Sequence, residues 1–424
     1  MTETQYLRPF KAKCAEAEWE KYEDRSNKLN IRHFSDVTVR AMGQHPGIQA
    51  QPGRFIDDCD YYSEIADREA SSEVISGKTL YAGFFRKAWG HFLMNSTARL
   101  WPLFAGDNVY DKIVFFSENN ETQSLHGNFK DFLSLAGIAR KCVILPAGTY
   151  HFENLTVGEI SFESGKYFSA EFMLPFKAVR DSALAGAATS EHRCKGIILA
   201  RSRWNGNNAV QQNIKSIEAA FTDNGYKAVY PESTPLSDLI LKMESADCVV
   251  SFSGSTAHNI LFADRKKLII LERCAANNLF QTGIAKMLGS ECVPVDCFYQ
   301  PLLVSSTDNL TIYGFTPQFM AFARDYGMET PHSTRSNPER EFRRLLRLFR
   351  RTYGYGTGLN HWEIEQSQAV AEAYFESYPR YSRCLERRVP VMWFDWLSPR
   401  VYLRMLRDMI KRQPQQDKKA VTAL

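Results

Sequence analysis

Two arginines, Arg201 and Arg203, follow an apolar run, Gly196–Ala200, and a turn of small residues, Ser253-Gly254-Ser255-Thr256, follows a second run, Cys248–Phe252. A guanidinium is a planar fork of donors that grips two phosphate oxygens at once, which lysine cannot copy. Small residues at a helix start point free backbone N–H groups towards one spot. Facing each other, the two features suit a diphosphate, whose charge the protein must neutralise. Each has an ordinary alternative. Arg201 or Arg203 could cap a neighbouring helix, and Ser253 or Ser255 could cap its own, with no ligand involved. The arginines beside the turn favour the diphosphate.

Other polar residues fall at comparable places. Asn213 opens a helical stretch, Glu232 follows Pro231 at a strand end, and Glu272 ends the run Lys267–Glu272. A strand-end acid can accept bonds from a ribose. The alternative for Glu272 is a surface salt bridge to Arg265 or Arg273, and Glu232 is equally ambiguous. His258 and Asn259 lie just after the small-residue turn. His258 reads as a phosphate contact or as a buried, satisfied histidine; Asn259 reads chiefly as a buttress of the loop. Upstream, His91 follows Gly90 at another helix start. Imidazole titrates near neutral pH and suits removal of a hydroxyl proton, although a lone histidine there also serves as a cap. Glu163 and Glu171 are rival bases.

The elements that must position these residues follow from periodicity. From residue 196 the order is buried strand, helix, strand, helix, strand, turn, helix, strand, which predicts a doubly wound α/β unit with ligand loops at the carboxyl ends of its strands. Before it, apolar β-branched and aromatic runs at 80–85, 112–116 and 142–146 alternate with helical patterns at 91–104 and 129–138, a second α/β alternation. Residues 1 to 75 read as polar and irregular. The small, polar stretch 183–193 marks a boundary, so the expected division is an α/β unit over 1–190, an α/β unit over 191–300 and a basic, helical extension over 301–424.

The stretch 196–272 resembles glycosyltransferase family 61, the DUF563 group of bacterial capsular or surface polysaccharide biosynthesis. The resemblance rests on Arg201, Arg203, Asn213, Pro231, Glu232, Gly254, Asn259, Phe262 and Glu272, with Gly90, His91, Phe92, Arg99, Trp101 and Pro102 upstream. Two departures stand out: Ser253-Gly254-Ser255 replaces a usual His-Gly-Ala, and Ala200 replaces a usual Ser. The resemblance implies a GT-B-like fold, two Rossmann-like domains facing a cleft. It implies an inverting transfer of sugar from a nucleotide-sugar donor to a glycan or lipid-linked hydroxyl, without an obligatory metal or other cofactor. Arg201, Arg203, Asn213, Glu232, Gly254, Ser255, Thr256, His258, Asn259 and Glu272 would then hold the donor, with His91 as the base. The alternative is a non-catalytic carbohydrate-binding or scaffold subunit, which would be marked by loss of Arg201 and His91.

Bulk properties narrow the rest. A net charge of +4 over 424 residues is too small to argue for nucleic acid. Nine cysteines without a CxxC pair fit reduced thiols better than a disulfide framework. The first residues, MTETQYLRPFKAKC, carry no apolar stretch of signal-peptide type. These features predict a cytoplasmic protein. The basic stretches 338–351 and 399–412 each open on a proline, the second after a capping Ser398, and carry one apolar face, Tyr402, Met405, Leu406 and Met409 in the second. Residues 398–412 are expected to meet an anionic membrane, at the inner face of the plasma membrane. Asp58-Cys59-Asp60 spells the DxD of metal-dependent sugar transferases but follows no long strand, so it is discounted.

Overall fold

Apolar runs bounded by turn residues build two main sheets. The computed structural model describes residues 5–7, 22–41, 54–56, 63–66, 72–106, 108–117, 125–187, 193–203, 211–273, 279–298 and 311–330. The stretches 338–351 and 398–412, and Asp58 and Asp60, lie outside the described residues. Among the described residues no helix is long and apolar enough to cross a membrane.

The first sheet has seven strands in the order Arg54–Phe55, Ser63–Ala66, Ile31–Ala41, Gly148–Gly158, Glu73–Phe85, Lys112–Ser117, Cys142–Leu145. The last three pairings are parallel and the first three antiparallel. The parallel half has the expected alternation. The antiparallel half is built on Ile31–Ala41, inside a stretch that reads as irregular from sequence. His33 and Asp36 interrupt its apolar pattern, and their side chains are satisfied locally. Asp36 Oδ1 meets Nε2 of the buried His151 at 2.7 Å, and His33 Nδ1 lies 3.1 Å from Thr156 Oγ1.

The helix expected over 91–104 is broken into three pieces. An α-turn at Trp89–His91 passes into a π-helix at Phe92–Ser96, and Trp101–Leu103 forms a 3-10 turn. The cause is local. Ser96 Oγ donates to Phe84 O at 2.7 Å and accepts from Arg86 N at 3.1 Å, which ties this turn to the end of a strand. Thr97 Oγ1 bonds back to Leu93 O. Such back-bonds compete with regular helix.

The second sheet is wholly parallel, in the order Lys227–Val229, Ile197–Leu199, Cys248–Phe252, Lys267–Glu272, Cys292–Asp296. Numbered within the unit this is 2-1-3-4-5, a doubly wound order whose direction reverses between Ile197–Leu199 and Cys248–Phe252. Helices Ile214–Thr222 and Pro317–Asp325 cover one face through Ile217, Phe221, Phe319 and Phe322, joined by Tyr6 from the start of the chain. The piece 311–328 thus packs with the second sheet rather than standing apart.

The other face does not look onto open solvent. One apolar core runs from Phe85 and Phe115 of the first sheet, through Phe132 and Phe176, to Leu199, Val249 and Ile270 of the second. Phe262 sits at the junction, its ring 5.5 Å from Phe176, 6.0 Å from Phe132 and 6.4 Å from Trp89. Burying one such ring contributes about 1.5–3 kcal/mol. Phe262→Ala is expected to cost about 3–5 kcal/mol of stability. Because the core is shared, both units should still unfold in one denaturant transition; two separate transitions in the wild type would contradict the shared core.

Candidate functional site

The reversal point of the second sheet brings Arg201 to the small-residue turn. The chain leaves Ile197–Leu199 with Ala200 bonded to Val229 O, and the next two N–H groups, of Arg201 and Ser202, donate to Glu218 Oε1 at 2.8 and 2.9 Å. Glu218 is buried on the helix Ile214–Thr222. It was not singled out in the sequence, where an acid inside an amphipathic helix looks like surface. Its i+4 placement from Ile214, directly after Ile217 on the helix's packed side, was the available sign.

Arg201 is directed inwards. Its Nη1 lies 3.4 Å from Thr256 Oγ1. Burial pushes its pKa down from the ordinary arginine value; nearby Tyr313 acts the other way, Arg273 lowers it further and Glu232 raises it. The guanidinium remains a cation at any ordinary pH. Asn213 takes a left-handed backbone, φ 62°, and its Nδ2 donates to Tyr313 O at 3.3 Å. It therefore secures Tyr313, which packs edge-on against Phe252 at 5.0 Å.

The turn itself is held from behind. Ser253 N donates to Leu271 O, and Gln281 Nε2 donates to Gly254 O at 3.1 Å. Gly254 has φ +115°, and a Cβ there would lie 2.9 Å from Arg273 Nη2, so backbone and neighbour both require glycine. The carbonyls of Gly254, Ser255 and Thr256 accept from Ala257, His258 and Asn259, which wind a 3-10 helix, Ala257–Phe262, instead of the expected α-helix. The N–H groups of Gly254, Ser255 and Thr256 make no hydrogen bond among the described residues. A second guanidinium, the buried Arg273, thus joins Arg201 at the turn. From sequence Arg273 reads only as a partner for Glu272, although its position just after a strand end carries the same signal that marks Arg201.

The first unit supplies the other wall. Trp89 Nε1 donates to Asn259 Oδ1 at 2.9 Å, and Asn259 Nδ2 donates to Thr256 O at 2.8 Å. Asn259 is fully buried and both ends of its amide are engaged, so it fixes the turn. Gly90 packs so closely that a Cβ would lie 2.4 Å from Ser255 Oγ and 3.1 Å from Nδ1 of the buried His258. The next residue, His91, is exposed, with Nδ1 3.1 Å from Asn95 Oδ1. Arg86 Nη1 lies 3.4 Å from the same nitrogen, so Nδ1 is shared between a group that only accepts and one that only donates.

The remaining residues sit further out or deeper. Arg203 is exposed and stacks on the Tyr230 ring at 4.1 Å, with the exposed Glu232 two residues beyond. Glu272 is buried, which excludes a surface salt bridge; it pairs in register with the buried Asp296 on the adjacent strand. Of the rival bases, Glu163 pairs with Lys166, and Glu171 accepts from Asn27 N at 2.8 Å. Arg99 and Trp101 brace the first sheet, donating to Gly158 O and Glu159 O.

Residues 89–270 match the model of the family described as Glycosyltransferase 61. No curated protein matches the chain. The matched stretch begins at Trp89 and ends within the strand before Glu272, so it takes in the Trp89–Asn259 contact, Arg201 and the turn. The match supports a glycosyltransferase activity in general, with a sugar donor and an acceptor as its partners.

Gly90→Ala is expected to push Ser255 away and lower the melting temperature, since inserting a carbon into a packed contact costs about 1–3 kcal/mol. Ser255→Gly in the same chain should recover most of the loss. Recovery absent, the contact between the units is not what demands glycine at residue 90.

Proposed function

We propose that this protein is an inverting glycosyltransferase of GT-B type that moves a sugar from a nucleotide-sugar donor to a hydroxyl of a glycan or lipid-linked acceptor. One observation carries the reading: Arg201 and Arg273 flank a turn whose Gly254, Ser255 and Thr256 N–H groups are open, at the reversal point of a parallel sheet. Doubly wound sheets bind ligands at that point. Two cations and a set of N–H donors match a diphosphate.

In this reading the acceptor oxygen attacks the anomeric carbon while the bond from that carbon to the diphosphate oxygen breaks. The acceptor proton passes to the imidazole of His91, whose ring Asn95 and Arg86 hold at Nδ1. The leaving diphosphate gains negative charge, which the two guanidinium groups and the turn's N–H donors are already oriented to stabilise. They supply the positive charge that a metal would otherwise bring, so the reaction needs no metal. Arg203 on its Tyr230 ring and the exposed Glu232 lie at the outer part of the same strand ends, with the buried Glu272 deeper, and the three are assigned to the nucleoside. The reading keeps the enzyme in the cytoplasm, at the inner face of the plasma membrane through the basic stretch 398–412, in surface polysaccharide assembly.

Arg201→Lys should reduce donor kcat/KM by roughly ten- to a hundredfold, because a charge-assisted bond contributes about 1.5–3 kcal/mol. Near-normal kinetics with a nucleotide sugar would remove Arg201 from the donor site. His91→Ala should lower kcat by about 10²–10⁴ while donor affinity holds. Should kcat survive and only acceptor KM rise, His91 is an acceptor contact and not the base.

A further inference from the structure

We propose that Trp89 and Asn259 are positioning residues that set the Arg201 edge of the anion site from the first unit. The inference rests on the diphosphate reading above. Four groups form one line of contacts. Trp89 Nε1 donates to Asn259 Oδ1 at 2.9 Å, Asn259 Nδ2 donates to Thr256 O at 2.8 Å, and Thr256 Oγ1 lies 3.4 Å from Arg201 Nη1. At the far end, Glu218 fixes the Arg201 backbone by accepting from two successive N–H groups.

The geometry leaves few other ways to hold Thr256. Its own N–H makes no hydrogen bond among the described residues, and its side chain is only half-buried. Its carbonyl is the anchored part, accepting from both Asn259 N and Asn259 Nδ2. Asn259 has no exposed surface, so a competing water does not satisfy its amide oxygen; Trp89 does. Trp89 is in turn fixed by ring stacking on Phe92 at 5.7 Å and Phe262 at 6.4 Å. The indole N–H therefore decides which way the Asn259 amide faces, and the amide decides where the Thr256 hydroxyl stands. That hydroxyl meets the guanidinium at 3.4 Å, a distance that a small shift of the turn would break. Trp89 also directly precedes Gly90 and His91, so the proton acceptor and the anion site hang on the same short turn.

The test is a set of double-mutant cycles on the full chain, with inorganic pyrophosphate as the probe, titration calorimetry as the readout and melting curves alongside. Trp89→Phe keeps a ring in the stack and removes the N–H. It should weaken pyrophosphate binding by about twofold to tenfold, the range of one neutral hydrogen bond. In an Arg201→Lys background the same change should have little further effect, since what it disturbs is Arg201. Thr256→Val gives a second arm at a half-buried position where the core is not touched. It too should be non-additive with Arg201→Lys, and Thr256→Ser, which keeps the hydroxyl, should bind like the wild type. A purely structural role would lower the melting temperature and add fully to Arg201→Lys. Full additivity in either arm, or unchanged pyrophosphate affinity in Trp89→Phe, overturns the proposal. A wild-type chain that does not bind pyrophosphate overturns the diphosphate reading itself, and this inference with it.

Discussion

Two guanidinium groups drawn into the protein against one turn are the constraint from which the site follows. Arg273 lies on Gly254 and Arg201 reaches Thr256, close enough for Arg273 to disfavour the charge on Arg201. Bringing like charges together away from water is costly, and the surrounding residues read as the answer to that cost. Glu218 stands under the Arg201 backbone, Tyr313 and Glu232 stand near its head, and buried acids end the two neighbouring strands. What remains is a surface whose charge would suit an anion with several oxygens, the pattern carried by the donor proposed above.

The position of that surface is dictated by topology. In a sheet of order 2-1-3-4-5 the connections leave the first and third strands in opposite directions, so their ends are not covered by one crossing helix. Arg201 follows the first and the small-residue turn follows the third. The first unit then closes the side of the turn with Trp89 and Gly90. In the proposed reading the donor surface comes from one sheet and the exposed imidazole of His91 from a segment that follows a strand of the other.

Much of this was legible in the chain. Strand ends in the second unit are marked by abrupt changes from β-branched residues to arginine, proline or small residues, and those changes located Arg201, Glu232, the turn and Glu272. The parallel sheet follows from the same alternation. Other features were hidden because their causes are tertiary. Ile31–Ala41 becomes a strand through pairing with Gly148–Gly158 over its full length, although its own apolar pattern is broken by His33 and Asp36. The π-helix at Phe92–Ser96 depends on a serine bonded to a distant strand end. Arg273 and Glu218 are charged residues whose type points to the surface; their positions, after a strand end and on a helix's apolar side, were the weaker sign, and packing places them inward. Gly90 has an unremarkable backbone, and its need for hydrogen in place of a side chain appears only when Ser255 arrives opposite.

The core shared by the two sheets bears on how cargo comes and goes. Where two lobes meet across water, a hinge can open the whole crevice and set the pace of turnover. Here Phe262, Phe132, Phe176 and Trp89 form a continuous aromatic weld between the lobes. Swinging them apart would expose those rings to solvent, at roughly 1.5–3 kcal/mol for each. Traffic that leaves that weld intact is cheaper, and the two lobes would then stay locked together while ligands come and go.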